Sequence, residues 1–250
     1  VKRRARERAD VLLAARGLAA SRAQAQALIL AGRVHSGARR VEKAGELLAA
    51  AAPLVVREAQ RFVSRGGDKL ARALLAFAPY GLDPAGKVCV DVGASTGGFS
   101  DCLLQHGAAR VHAVDVGHGQ LHPRLRADPR VVVRERTHAV RLDRAAFGEP
   151  VELVAVDVSF IGIGKIIGAI ASWLDPGGAL VALVKPQFEA GRREASRGRG
   201  VIRDPAVRAQ AIARAVAEIA AAGFTVVAEV DCALRGPRGN LERFVLARRI

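Results

Sequence analysis

Val90-Asp91-Val92-Gly93-Ala94-Ser95-Thr96-Gly97-Gly98-Phe99-Ser100 reads as the end of a strand, a glycine-rich turn and the opening of a helix near Gly98. Such a turn brings bare backbone to the carboxyl edge of a parallel sheet, where a ligand can approach it closely. It lacks the Gly-Lys-Ser/Thr ending of a nucleotide-hydrolase phosphate loop and misses the Gly-x-Gly-x-x-Gly spacing, so a dinucleotide is disfavoured. A second apolar run ends at Asp115, 22 residues past Gly93, where a carboxylate can accept hydrogen bonds from both hydroxyls of a ribose. The turn alone reads equally well as a structural tight turn. With Asp91 and Asp115 in register it points to a nucleoside-containing cofactor.

Outward from this segment, short apolar runs recur at Val88–Val92, Val111–Val116, Val131–Val133, Val151–Val158, Ala179–Val184, Phe224–Val230 and Phe244–Leu246, with helical segments between them. This alternation predicts βαβ units, an α/β fold and a mostly parallel sheet with helices on both faces. The last long helix is marked by Asp204 as N-cap, Pro205 at its first position, Ile212, Val216 and Ile219 on one face, and Gly223 as its stop. Gly191 to Gly200 is basic and glycine-rich and is expected to be a loop that orders on an anion. Residues 1–60 read differently, as two short helices and a hairpin. One helix runs from Arg8 to Arg16; the second is capped by Ser21 and stops at Gly32; Arg33–His35 and Arg40–Glu42 flank the turn Ser36-Gly37. Two domains are therefore expected, 1–60 and 61–250.

The 250 residues carry 39 Lys plus Arg against 24 Asp plus Glu, a formal net charge of +15. The first sixty hold 12 and 5 of these, net +7, and the remainder 27 and 19, net +8, so a polyanionic partner is expected to touch both parts. Aromatic residues make up only 4%, too few for a platform of stacked bases. No charge-free stretch approaches the ~20 residues of a membrane span, and the basic N-terminus leads to Arg8 and Asp10, unlike a secretory signal. Cys89, Cys102 and Cys232 lack metal-ligand spacing. They read as reduced core residues of a cytoplasmic protein without a metal. Oligomeric state leaves no mark in the sequence, and a monomer is assumed.

The glycine-rich turn and Asp115 resemble the S-adenosylmethionine-dependent methyltransferase fold, which implies a Rossmann-like, mostly parallel seven-stranded sheet. On that resemblance Asp91, Gly93, Ala94, Ser95, Thr96, Gly97, Gly98 and Phe99 surround the amino-acid end of S-adenosylmethionine, Asp115 holds its ribose, and Glu135 and Thr137 lie by its adenine. Ser64-Arg65-Gly66-Gly67-Asp68-Lys69-Leu70, Asp157-Val158-Ser159-Phe160-Ile161, Val184-Lys185-Pro186-Gln187-Phe188-Glu189, Val201-Ile202-Arg203-Asp204-Pro205 and Gly239-Asn240-Leu241-Glu242 resemble, in this order, motifs of the TlyA family. These are ribosomal RNA cytidine-2'-O-methyltransferases, also labelled hemolysin A-like, with an FtsJ-like catalytic domain. Arg8 to Leu13, Ser21 to Ala25 and Leu28 to Val34 likewise resemble the S4 RNA-binding domain that begins such proteins.

The resemblance implies a Lys-Asp-Lys-Glu tetrad at Lys69, Asp157, Lys185 and Glu242. A ribose hydroxyl is a poor nucleophile whose proton must leave as the oxygen attacks, and a lysine can take it only when neutral. Lys185 is assigned as the base, Lys69 as a charged neighbour that lowers its pKa, and the two carboxylates as orienting groups. Arg22, Arg33, Arg39, Arg40, Arg65, Arg192, Arg193, Arg197 and Arg199 are the implied contacts to ribosomal RNA or a ribosomal subunit, since guanidinium forks match phosphate oxygens. Read singly, each of these residues fits a surface pair, a cap or a solvated charge. Two departures stand out: Thr137-His138-Ala139-Val140 replaces the usual Thr-Asn-Ala-Arg, and Ser196-Arg197-Gly198-Arg199-Gly200 replaces Gly-Lys-Gly-Gly. The competing readings are a non-catalytic RNA-binding or ribosome-assembly factor and a membrane-active hemolysin.

Overall fold

The computed structural model describes residues 6–57 and 61–250, and the side chains at 192, 193 and 195 lie outside the described set. The chain divides after residue 60 into two units. The first contains β1 (Arg6–Arg8), α1 (Ala9–Ala15), α2 (Arg22–Leu30), β2 (Val34–Ser36), β3 (Arg39–Arg40), β4 (Leu47–Ala49) and β5 (Leu54–Val56). Ser21 caps α2, its side chain accepting from Gln24 N at 3.1 Å. The expected hairpin is β2 against β3, but β5 pairs with the other side of β2, and β1 pairs with β4. Leu12, Leu13, Ala25, Ile29 and Val34 form the core. Beside it Asp10 is fully buried, and it is satisfied by Arg8, by Arg22 Nε and Gln26 Nε2, each at 2.8 Å, and by Val11 N. These donors, Arg8 foremost, hold its carboxyl well below the usual range despite burial.

The second unit begins with α3 (Arg65–Phe77), then β6 (Val88–Val92), α4 (Gly98–Gln105), β7 (Arg110–Val114), α5 (Pro123–Arg126) and β8 (Val131–Arg134). It continues through β9 (Val151–Val156), α6 (Ile167–Trp173), β10 (Leu174–Val184), α7 (Pro186–Glu189), α8 (Arg192–Arg197), α9 (Pro205–Ala221), β11 (Phe224–Asp231) and β12 (Arg243–Arg249). Seven strands form one sheet in the order β11-β12-β10-β9-β6-β7-β8. Only β12 runs against its neighbours. The expected mostly parallel, seven-stranded α/β sheet is what forms.

Alternate residues of the central strands feed two separate cores, as a sheet covered on both faces requires. Leu153 and Ala155 of β9 pack with Leu70, Phe77, Phe99 and Leu103 of α3 and α4. Val154 and Val156 pack with Ile170, Trp173, Ile212 and Ile219 of α6 and α9. Asp204 caps α9 by accepting from Ala206 N at 2.8 Å, with Pro205 next to it and Gly223 at φ +87° beyond the end. The Gly191–Gly200 stretch departs from the expected loop. Arg, Glu and Ala favour α8, and Arg197 pairs with Glu194 one turn earlier at 3.1 Å, so only Gly198 to Gly200 remain a turn.

Candidate active site

From β6 the chain moves outward to β7 and β8, whereas β9 and β10 lie on its other side, so strand order reverses between β6 and β9. Such a switch point leaves a crevice beyond the carboxyl ends of the strands. Gly93 follows β6 at φ +87°, and a Cβ there would lie 2.7 Å from the carbonyl oxygen of Asp157, which follows β9. Only glycine permits that approach and that backbone conformation together. A Cβ on Gly98 would stand 2.2 Å from Ser64 Oγ, so the start of α4 is pressed against the segment entering α3. Ala94 is buried, Ser95 and Thr96 are exposed, and Phe99 turns its ring into the core, stacked 6.1 Å from Phe244. Phe99 therefore offers a ligand its backbone and not its ring.

Asp91 is fully buried. Its Oδ2 accepts from Ser100 N at 2.8 Å and Ser100 Oγ at 2.7 Å, while Oδ1 has no partner among the described residues. Burial raises its pKa to about 7, with Asp157 and Asp115 adding to the rise. The unfolded chain loses this proton near pH ~4, so the folded state is favoured below that pH and loses the advantage as pH rises towards 7. Denaturant titrations without ligand should therefore show stability falling across this window, and Asp91→Asn should flatten the fall. Equal slopes in the two proteins would contradict the assigned ionisation.

Asp115 joins two loops, with Oδ2 accepting from Ser95 N at 2.8 Å and Oδ1 from Gly117 N at 2.6 Å. Glu135 is already engaged: it accepts from the 119–121 backbone, pairs with Arg126, and lies 3.1 Å from His118 Nδ1. The backbone donors and Arg126 lower its pKa to about 2. These contacts shape the loop after β7. Thr137 N donates to Asp115 O at 2.9 Å, which places the two loops side by side. Val116 and Val140, on these loops, are more than half exposed.

Lys69, Asp157, Lys185 and Glu242 come together at the same edge. Val184 of β10 lies opposite Arg243 of β12, so Lys185 and Glu242 occupy the next position of two adjacent, oppositely running strands. Lys69 Nζ sits 2.5 Å from Glu242 Oε2, and both are buried. Lys185 Nζ sits 2.6 Å from Asp157 Oδ1 and donates to Ser159 Oγ at 2.9 Å. Burial pushes the Asp157 carboxyl up, opposed by the ammonium groups of Lys185 and Lys69, while Glu242 adds to the rise. The four charges form two ion pairs, each desolvated charge finding an opposite one, and both lysines act on Asp157.

Three further residues hold this edge in shape. Glu189 Oε1 accepts from Ile163 N at 2.9 Å, tying α7, directly after Lys185, to the loop after Asp157. That loop presents Phe160 at φ +71°, 88% exposed, with its ring 5.4 Å from Phe188. Asn240, buried, donates to Gly200 O at 2.8 Å and accepts from Ile202 N at 2.9 Å.

The candidate RNA contacts fall in both units. Arg22 is anchored on Asp10, Arg33 Nε donates to Arg57 O at 2.8 Å, Arg39 pairs with Glu46, and Arg40 lies 3.7 Å from Glu42. All four belong to the first unit; Arg22, Arg39 and Arg40 keep about half of their side chains in solvent, and Arg33 is partly buried. Arg65, Arg197 and Arg199 are exposed on the second unit, and the side chains of Arg192 and Arg193 lie outside the described set.

Residues 62–249 match the FtsJ-like methyltransferase family and residues 7–54 match the S4 domain. The chain is 44% identical over 245 residues to the 16S/23S rRNA (cytidine-2'-O)-methyltransferase TlyA of Mycobacterium tuberculosis, covering 97% of this chain and 90% of that one. It is 40% identical to Hemolysin A of Brachyspira hyodysenteriae, covering 94% and 97% of the two. A solved structure of a protein named as a hemolysin, from Streptococcus thermophilus, superposes with a TM-score of 0.73 at 37% identity, covering 99% and 90%.

Proposed function

The chain belongs to the TlyA family of FtsJ-like methyltransferases with an S4 domain, and from that membership we propose that it methylates the 2'-oxygen of a cytidine in ribosomal RNA, using S-adenosylmethionine. The observation that carries the mechanism is the pair of ion pairs, Lys69–Glu242 and Lys185–Asp157, set at the switch-point edge beside the glycine-rich turn. The crevice suits the cofactor. Asp91, two residues before Gly93, keeps one buried oxygen unpartnered among the described residues, and Gly93 leaves the backbone bare. Asp115 has used one acceptor direction on each oxygen, which leaves two for a ribose diol. When bound, S-adenosylmethionine supplies an electrophilic methyl on a sulfonium. The remaining work falls to this chain's residues.

Lys185 accepts the proton of the attacking hydroxyl. It becomes competent when its own proton passes to Asp157, giving a neutral amine beside a neutral acid, and burial that raises the Asp157 pKa favours this form. The amine would then take the hydroxyl proton as the oxygen attacks, and the lysine would leave the step as an ammonium beside Asp157. Lys69 and Glu242 fix the neighbouring wall and hold the hydroxyl in line, and positioning supplies most of the acceleration. A cytidine turned out of its helix meets the exposed ring of Phe160, three residues beyond Asp157. Residues 1–60 grip structured RNA through exposed arginines and 61–250 carry the reaction; this substrate puts the enzyme in the cytoplasm. No described helix is long and apolar enough to cross a membrane.

The test is incubation with labelled S-adenosylmethionine and, separately, small subunits, large subunits and naked rRNA, with the methyl located by mass spectrometry. A 2'-O-methylcytidine in one or more of them is the expected result. No transfer to any would overturn the proposal.

A further inference from the structure

Five arginines from three stretches of chain surround the loop that carries Glu242. Arg65 opens α3, Arg199 and Arg203 lie between α8 and α9, and Arg235 and Arg238 belong to the loop itself. The stretches are joined by contacts. Arg65 Nη2 donates to Arg235 O at 2.9 Å, and Arg235 Nη1 donates to Gly239 O at 3.0 Å. Arg238 Nη1 passes 2.7 Å from where a Cβ on Gly200 would be, and Asn240 binds both Gly200 and Ile202. The catalytic carboxylate is next to this framework: a Cβ on Gly236 would stand 2.6 Å from Glu242 Oε1.

All five arginines are exposed. Arg208 and Arg243, a short distance along the chain, are paired with Asp231, whereas among the described residues no carboxylate pairs with any of the five. Where Arg65 and Arg235 have a partner it is a neutral backbone carbonyl, which orients the guanidinium without cancelling its charge. An unneutralised cluster of like charge repels itself and is stabilised when an anion arrives. Because the five span three stretches of chain, a single carboxylate or phosphate cannot engage them all. A ribose 2'-oxygen, by contrast, always has a backbone phosphate on either side of it, so a strand that reaches Glu242 brings at least two phosphates to the surrounding rim.

Resting on the rRNA-methyltransferase reading, we infer that this rim grips the phosphates flanking the target nucleotide, with Arg235 and Arg238 as direct contacts. Asn240 is the positioning residue that keeps the rim and Glu242 in one frame.

The test uses the full chain and filter binding to 16S and 23S rRNA transcripts from ~50 to ~200 mM salt. For the double variant Arg235→Ala/Arg238→Ala, affinity should fall roughly tenfold and the log–log salt slope should become shallower by about two units. Affinity for S-adenosylmethionine should not change. Arg235→Lys/Arg238→Lys, which keeps the charge but loses the Arg235 hydrogen bond to Gly239, should restore the slope. An unchanged slope in the alanine variant, or a lysine variant that fails to restore it, would overturn the inference. Absence of methyl transfer by the parent chain would overturn the enzymatic reading instead, and the binding slopes would still decide the rim.

Discussion

Lys185→Ala should slow methyl transfer by about 10³-fold, within the range expected when a positioned general base is removed. The measurement is a single-turnover rate at saturating RNA and cofactor, with S-adenosylmethionine affinity measured separately and expected to be retained. Lys185→Arg should not restore the rate, because a guanidinium stays protonated and cannot accept the hydroxyl proton. Asp157 tests the same pair from its other side. Lys185 reaches it at 2.6 Å, so Asp157→Asn keeps a polar neighbour but removes the proton acceptor, and the rate should again fall by a large factor. A Lys185→Ala enzyme within about tenfold of the parent would mean that another group takes the proton.

Glu242→Ala should show the largest loss of stability. Lys69 Nζ lies 2.5 Å from Glu242 Oε2, with 9% and 1% of the two side chains exposed, so removing the carboxylate strands a desolvated ammonium. Breaking such a pair from one side costs about 3–5 kcal/mol. For a unit of this size that corresponds to a fall in Tm of roughly 10 °C. Lys69→Met/Glu242→Leu, which removes both charges and keeps the volume filled, should recover most of the stability and none of the activity. Thermal melts and transfer assays on the two variants separate the contributions. If the double variant melts as low as Glu242→Ala, the loss comes from packing and not from an orphaned charge.

The features legible in the sequence are those set by local chemistry. Asp204, Pro205 and Gly223 bound α9 as their capping and stopping preferences require. The runs around Val88, Val154 and Val181 read as buried strands because both of their faces are apolar. Features decided by distant partners were hidden. Asp10 follows an alanine and precedes three apolar residues, and nothing local tells that Arg8, Arg22 and Gln26 converge on it. The tetrad's residue types and edge positions were readable, but its pairing was not, because Lys69 meets Glu242 across 173 positions of sequence. The ties of Glu135 to Arg126 and the 119–121 backbone were hidden in the same way, since they join separate loops. Helix α8 was lost to its flanking glycines, although its own Arg, Glu and Ala favour helix.

The reversed direction of β12 bears on when the enzyme becomes active. Glu242 stands just before a strand that runs opposite to β10, and this brings a late segment of the chain to the edge where the earlier strands end. During synthesis, which proceeds from the N-terminus, Lys69, Asp157 and Lys185 are all made before it. Until β12 inserts between β10 and β11, Lys69 lacks its partner Glu242. A chain whose synthesis has not yet passed Glu242 therefore lacks one of the four residues gathered at this edge, and the site is whole only once the strand that completes the sheet is in place.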